Sequence, residues 1–244
     1  MHDYPLRLAL EGATVLELIT SSGQVEVTGD GEPGVVIIQG LLPPRRGVYR
    51  RTVRREGKRW IVHPRRGSRS LQVRCPAGLN LTVSTRSGRI SIQGPLGEVR
   101  ASASSGRVDV QDVESLRART RSGRIDVRDC RGSVKLAGVS GSMVVERADS
   151  VELMAVSGNV ELREIAGKVG ALTVSGSLNA QTAGHGDVSI ASISGHLQIA
   201  LPGHLRPYVK MHQMSGELRN DLAAGDDLKL DLSSVSGNIA IGTA

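Results

Sequence analysis

Apolar and polar residues alternate in short runs along this chain, and Ser-Gly pairs separate the runs. Val108 and Val110, for example, flank Asp109 just after one such pair. Alternation with a period of two is typical of β-strands that turn one face towards a core. The ten pairs begin at Ser22, Ser87, Ser105, Ser122, Ser140, Ser157, Ser175, Ser194, Ser215 and Ser236. The pattern therefore predicts an all-β fold.

The spacing of these pairs indicates a solenoid. From Ser87 onward they lie 17 to 21 residues apart, which fits one coil of a parallel β-helix whose strands stack about 4.8 Å from those of the next coil. A propeller blade needs about 40 residues, and helical repeats would contain fewer glycines. We predict that each Ser-Gly is a structural corner, because glycine adopts positive φ freely and serine can hydrogen-bond the local backbone or an adjacent coil.

The first third of the chain is less regular. Two alternating runs around "REGK" predict a hairpin that pairs Val48–Val53 with Arg59–His63. We expect one domain over residues 1–244, with irregular N-terminal capping coils over 1–80 and regular coils over 81–244. Because the chain ends on the strand-like "NIAIGTA", we expect its last strand to be an open edge unless something covers it.

Composition limits the core and the location. The chain has no Phe and one Trp, so Val, Ile, Leu and Ala must fill the interior. Cys75 and Cys130 have no metal-type or redox-type spacing and are expected to be buried thiols. The N-terminus lacks the apolar segment of a signal peptide, and no apolar run reaches about 18 residues. We therefore expect a cytoplasmic protein without a transmembrane segment.

The Ser-Gly-x-apolar corners, with the phrases "CPAGLNLTVSTRSGRISI" and "LPGHLRPYVKMHQMSGEL", carry a family resemblance. The chain resembles the bacterial putative-adhesin family of β-strand-repeat proteins, a domain of unknown function. A looser resemblance is to bactofilins, which are cytoskeletal β-helices. The family resemblance implies a right-handed parallel β-helix and transfers no catalytic residues.

Charge is concentrated in the middle of the chain. Residues 41–135 carry 23 basic and 7 acidic side chains. Arg89, Arg107 and Arg124 each follow a Ser-Gly and are expected to stack in a column, where they repel unless solvent screens them or an anion bridges them. Both interpretations remain open. The candidate anion-binding residues in the cationic block 45–131 are Arg51, Arg54, Arg55, Arg89, Arg107 and Arg124. The partner would be nucleic acid or another polyanion, bound in a salt-sensitive way.

The residue before each later Ser-Gly is apolar, and strict alternation would place it outside. These residues are Val139, Val156, Val174, Ile193, Met214 and Val235. An exposed apolar column of this kind marks an interface and predicts self-association. Alternatively, the corner reverses the alternation and the column packs inside.

Catalytic patterns are weak. Asp109 and Asp126 are predicted to be outward strand residues rather than paired carboxylates in a cleft, and the histidines form no HxxxH or HxH pattern. We expect no enzyme activity, cofactor, metal or small-molecule substrate. The sequence therefore favours a non-catalytic structural or interaction module that self-associates. The alternative is a salt-sensitive binder of an anionic polymer.

Overall fold

The computed structural model describes residues 5–41, 52–64, 70–183 and 186–243, and the elements assigned there are all β-strands. The strands are β1 (Leu6–Ala9), β2 (Val15–Thr20), β3 (Gln24–Thr28), β4 (Val35–Gln39), β5 (Val53–Glu56), β6 (Arg59–Val62), β7 (Ser70–Arg74), β8 (Asn80–Ile165), β9 (Val169–Thr182), β10 (Val188–Leu201), β11 (Tyr208–Ser215), β12 (Leu218–Asn220) and β13 (Lys229–Thr243). The sheet is open, as its strand order shows. No helix within the described ranges is long and apolar enough to cross a membrane. The predicted all-β class is confirmed.

The chain divides into two compact units, Met1–Arg119 and Thr120–Ala244, and the strand β8 contributes to both. In the first unit, β2 pairs in parallel with β6 on one side and with the start of β8 on the other. The next strand, β3, lies between β7 and β8 in the same way. Antiparallel strands β4 and β1 continue the sheet beyond β7. The single-domain organisation stays a prediction.

The predicted N-terminal hairpin is present, but the bounds of its first strand differ from the predicted ones. It pairs β5 with β6, so that Val53 lies opposite Val62 and Glu56 opposite Arg59. Of the predicted first strand Val48–Val53, Val53 belongs to β5, which continues to Glu56, and residues 48–51 lie outside the described part of the chain. The physical reason is the two-residue turn, in which Gly57 adopts a φ of 58°, because a turn of this length fixes the pairing of the residues that flank it.

The second unit is a β-helix-like stack of parallel strands. Its sheet follows the order β8, β9, β10, β13, β11, and the serines of five corners stand in register across it. These serines are, in stack order, Ser157, Ser175, Ser194, Ser236 and Ser215. Residues one repeat apart are direct neighbours from Ser157 to Ser194, as the Ser-Gly spacing predicted, but Ser194 pairs with Ser236, which lies two repeats further along the chain.

The last strand is covered, so it is not the open edge that was expected in the absence of a cover. β13 lies between β10 on one side and both β11 and β12 on the other, so the strands at the edge are β11 and β12. The inward residues of β13, such as Leu230 and Leu232, are fully buried. Their partners Val209 and Met211 in β11 remain partly exposed. The chain thus buries its more apolar coil and leaves the less apolar coil outside, consistent with the larger gain from burying Leu.

The Ser-Gly pairs are structural corners, as predicted. All ten glycines have φ between 104° and 159°, a region that L-residues rarely adopt. The corners stack so closely that a Cβ on Gly176 would overlap the carbonyl oxygen of Gly158. The serine hydroxyl joins the stack, since Ser157 Oγ donates to the Val139 carbonyl oxygen at 3.1 Å. The repeated serines therefore fasten neighbouring coils.

Cys75 and Cys130 are buried thiols, as predicted. Burial, with a smaller contribution from the nearby Asp30 carboxylate, raises the pKa of Cys75 to about 12. We expect Cys75 in a Cys130→Ser variant to react with a thiol reagent at pH 8 at least about a hundredfold more slowly when folded than in urea, because the thiolate is the reacting species. A stopped-flow or absorbance assay measures this rate. Equal rates in the folded and unfolded states would contradict the prediction.

Candidate interaction surface

The second unit carries an exposed apolar column on one outward sheet face. The residue before each of its last six Ser-Gly corners is apolar, and its exposed fraction ranges from 39% to 83%. The column consists, in stack order, of Val139, Val156, Val174, Ile193, Val235 and Met214. The apolar residues before these corners therefore face outward rather than into the core, because the alternation of inward and outward side chains continues without reversal up to each corner.

A second column widens this surface. Met154 and Leu172 are direct partners in the parallel register of β8 and β9, and both are about half exposed. Sequence reasoning missed them, although period-two alternation back from Val156 and Val174 indicates both positions. The column continues with Ala191 of β10. We call the six pre-corner residues together with Met154 and Leu172 the apolar ridge.

Polar groups border the ridge on both sides. On one side Lys135 forms an ion pair with Glu152, and Lys210 stands in register beside Asp231. On the other side lie the corner serines, whose hydroxyls are directed to backbone carbonyls of the adjacent coil, as in Ser175 to Val156 at 3.4 Å. An apolar centre with a polar rim is the usual anatomy of a protein interface.

The candidate anion-binding arginines contact carboxylates of their own chain. In the first unit, Asp109 accepts from Arg89 Nε at 2.7 Å and from Arg107 Nε at 2.6 Å. In the second unit, Arg124 Nε lies 2.7 Å from Asp126. The repulsion expected for an arginine column is thus offset by aspartates on the same face, without an added anion.

The remaining candidates lie at the N-terminal hairpin. Arg54 Nε is 3.0 Å from Glu56, and Arg55 Nη1 is 2.9 Å from Glu11. Arg55 also stacks over the Trp60 ring, with its guanidinium carbon 5.9 Å from the ring centroid. Arg51 lies outside the described residues. Polyanion binding by these six arginines stays a prediction, and the ion pairs lower the charge available for it.

No arrangement suited to catalysis stands out in the described parts of the chain. A groove of about 230 Å³ in the first unit is lined by residues of β3, β4 and β7, of which only Glu26 and Arg74 are ionisable. Gln72 Nε2 lies 3.5 Å from the Glu26 carboxylate, so a neutral amide rather than a second acid stands beside it. Within the described residues, no group of three or more His, Cys, Asp or Glu side chains is placed to hold a metal ion.

The corners, the register and the strand alternation agree with a known repeat family. The sequence model of Toastrack DUF4097 matches residues 52–243. The chain belongs to this family. The prediction of a β-strand-repeat domain of unknown function is thereby confirmed, and the Toastrack match includes every coil that carries the apolar ridge.

Two solved structures are similar to this Toastrack chain. One is a putative adhesin from Bacteroides fragilis, with 10% identity and a TM-score of 0.47, covering 98% of this chain and 96% of that one. The other is a putative cell adhesion protein from Clostridium sporogenes, with 11% identity and a TM-score of 0.26, covering the whole of both chains at 100%. No curated protein sequence matches this Toastrack chain significantly.

Proposed function

We propose that this chain is a non-catalytic interaction module that self-associates through its apolar ridge. The observation that carries the proposal is the exposure of eight apolar side chains on one outward face of the second unit. Their exposed area is on the order of 700 Å², close to the roughly 800 Å² that each partner buries in a standard interface. Monomeric proteins rarely leave so large an apolar patch in water.

A second copy is the partner that suits this surface. Two ridges that meet face to face cover each other, because the contact is isologous and needs no other protein. The polar rims can remain hydrated around the contact. We further propose that the coils wind with a right hand, which parallel strand connections strongly favour, and that the protein acts in the cytoplasm.

The test is light scattering coupled to size-exclusion chromatography over a range of protein concentrations. We expect the wild type to assemble at both low and high salt, because burial of apolar surface does not depend on charge screening. Changing Val156→Asp together with Val174→Asp should weaken this association at least about a hundredfold, since each carboxylate would lose its hydration in the contact.

The matched control places the same two charges beyond the corner. Asn159 and Ser177 are register partners on the same two strands but lie outside the ridge. The variant Asn159→Asp with Ser177→Asp should therefore assemble like the wild type. A wild type that stays monomeric throughout, or a ridge variant with unchanged association, would overturn the proposal.

A further inference from the structure

The end of the second unit formed by β11 and β12 leaves its core uncovered. Val209 and Met211 of β11 stand in register with the fully buried Leu230 and Leu232 of β13, yet both remain partly exposed. They point to the core side of the sheet, but within the described residues no further strand lies beyond them. The hydrophobic interior therefore reaches solvent at this end.

The same opening exists on the next wall of the coil. Leu218 of β12 is the register partner of Ile239, which is 1% exposed, whereas Leu218 itself is 45% exposed. Like β11, β12 pairs only with β13 among the described strands. The strands β11 and β12 thus lie on two adjacent walls of the coil, joined by the Ser215-Gly216 corner, and each leaves one edge without a partner strand among the described residues.

The backbone at this edge is also available for pairing. The Tyr208 N–H donates to the Leu228 carbonyl at 2.8 Å, so Tyr208 directs its backbone groups towards β13. Along a parallel strand the direction alternates from residue to residue. Val209, Met211 and Gln213 therefore direct their N–H and C=O groups away from β13. Val209 and Met211 thus carry backbone groups that point away from β13, and their partly exposed side chains lie on the core side of the sheet.

We infer that a second copy of the chain covers this end by antiparallel pairing of β11 with β11 about a two-fold axis. A second copy presents the same open strand β11, with the same outward backbone groups and the same partly exposed inward residues, so each copy covers the other. A two-fold contact is also closed and self-complementary. This end contact is separate from the apolar ridge.

One register satisfies both the backbone and the side chains. With Met211 opposite the partner's Met211, the two residues exchange N–H···O=C bonds, and Val209 lies opposite the partner's Gln213. Every inward residue then faces an inward residue, as opposite residues of an antiparallel pair must. Lys210 lies opposite the partner's His212, so the two Lys210 side chains do not face each other.

Among the described strands of the first unit, the edge strands do not offer an equivalent partner. β5 reads Val-Arg-Arg-Glu and carries the Arg54–Glu56 ion pair, while β1 has four residues. Short, charged edge strands oppose pairing between chains. This favours a closed end-to-end contact of two β11–β12 ends over head-to-tail growth.

The experiment uses the full chain with Val156→Asp and Val174→Asp, so that the ridge contact is removed. We expect this variant to form a dimer that is smaller than the wild-type assembly in light scattering, and the further change Met211→Pro to make it monomeric. Proline removes the outward N–H without removing a bond to β13, a position that edge strands tolerate. The matched control, Met211→Leu, keeps the N–H and should keep the dimer.

Amide hydrogen exchange of the chain with Val156→Asp and Val174→Asp gives a second measurement, because the ridge contact to which Met214 belongs is absent there. Exchange in residues 208–215 should slow about tenfold or more as concentration rises through the dimerisation range. A dimer that survives Met211→Pro in a folded chain, or exchange that is independent of concentration, would overturn the inference. If Val156→Asp with Val174→Asp leaves the assembly unchanged, the ridge proposal fails, and Met211→Pro in the wild type then tests the end contact alone.

Discussion

Replacing Gly176 by alanine is expected to destabilise the protein by about 3 kcal/mol or more. Gly176 adopts a φ of 123°, and a Cβ there would collide with the carbonyl oxygen of Gly158 one coil away. The colliding atom is backbone, so relief requires the two stacked corners to separate. Separation would also weaken the hydrogen bond from Ser175 Oγ to the Val156 carbonyl. A loss of this size lowers the melting temperature by roughly 10 °C.

Gly170 provides the matched control on the same strand. A Cβ on Gly170 would meet only the Val151 carbonyl oxygen, at 3.9 Å, which is ordinary contact. Gly170→Ala should therefore change the free energy of unfolding by less than about 1 kcal/mol. Thermal melting followed by circular dichroism compares the two variants. Equal melting temperatures would show that the corner glycine is not constrained by the stack.

The sequence indicates strands and corners well, because both depend on local chemistry. Alternation in "GRVDV" and "GRIDV" places valine and isoleucine inside, and it places Arg107 and Asp109 together on the outward face. The placement of Arg107 and Asp109 on one face could have been predicted from the sequence, since residues two apart on a strand share a face. The sequence argument considered the arginine column without the aspartates that pair with it in the structure.

The orientation of the apolar ridge could not be decided from alternation alone. Val156 lies between Ala155, which is buried, and Ser157, which begins a corner with unusual backbone geometry. Period two holds only while the backbone is extended, so a corner is the place where it can fail. In this structure the alternation of buried and exposed side chains continues up to Ser157, so Val156 faces outward and is exposed.

Stack order was the harder problem, because every coil carries the same pattern. The repeats fix which residues face inward but do not specify which coil lies next to which. In the first unit, β2 and β3 lie between β8 and the later strands β6 and β7. In the second unit, β13 enters between β10 and β11. In both places chain order and spatial order differ.

A pair of substitutions tests the inserted position of β13. Leu232→Ala should lower the free energy of unfolding by about 3 kcal/mol, because it removes a fully buried side chain from between two coils. Met211→Ala on the neighbouring β11 should cost less than about 1 kcal/mol in the monomer, since Met211 is already partly exposed. Urea unfolding of both variants, at concentrations too low for association, measures the difference.

Stacking in chain order would give the opposite result. The coil that contains Met211 would then lie inside, and the coil that contains Leu232 would form the end, so Met211→Ala would be the costlier change. A larger loss for Met211→Ala would therefore reject the inserted position of β13 and, with it, the uncovered end formed by β11 and β12. If Leu232→Ala lowers the free energy of unfolding more than Met211→Ala does, β13 lies inside the stack. The edge that pairs with a second copy is then β11, which precedes β13 in the chain.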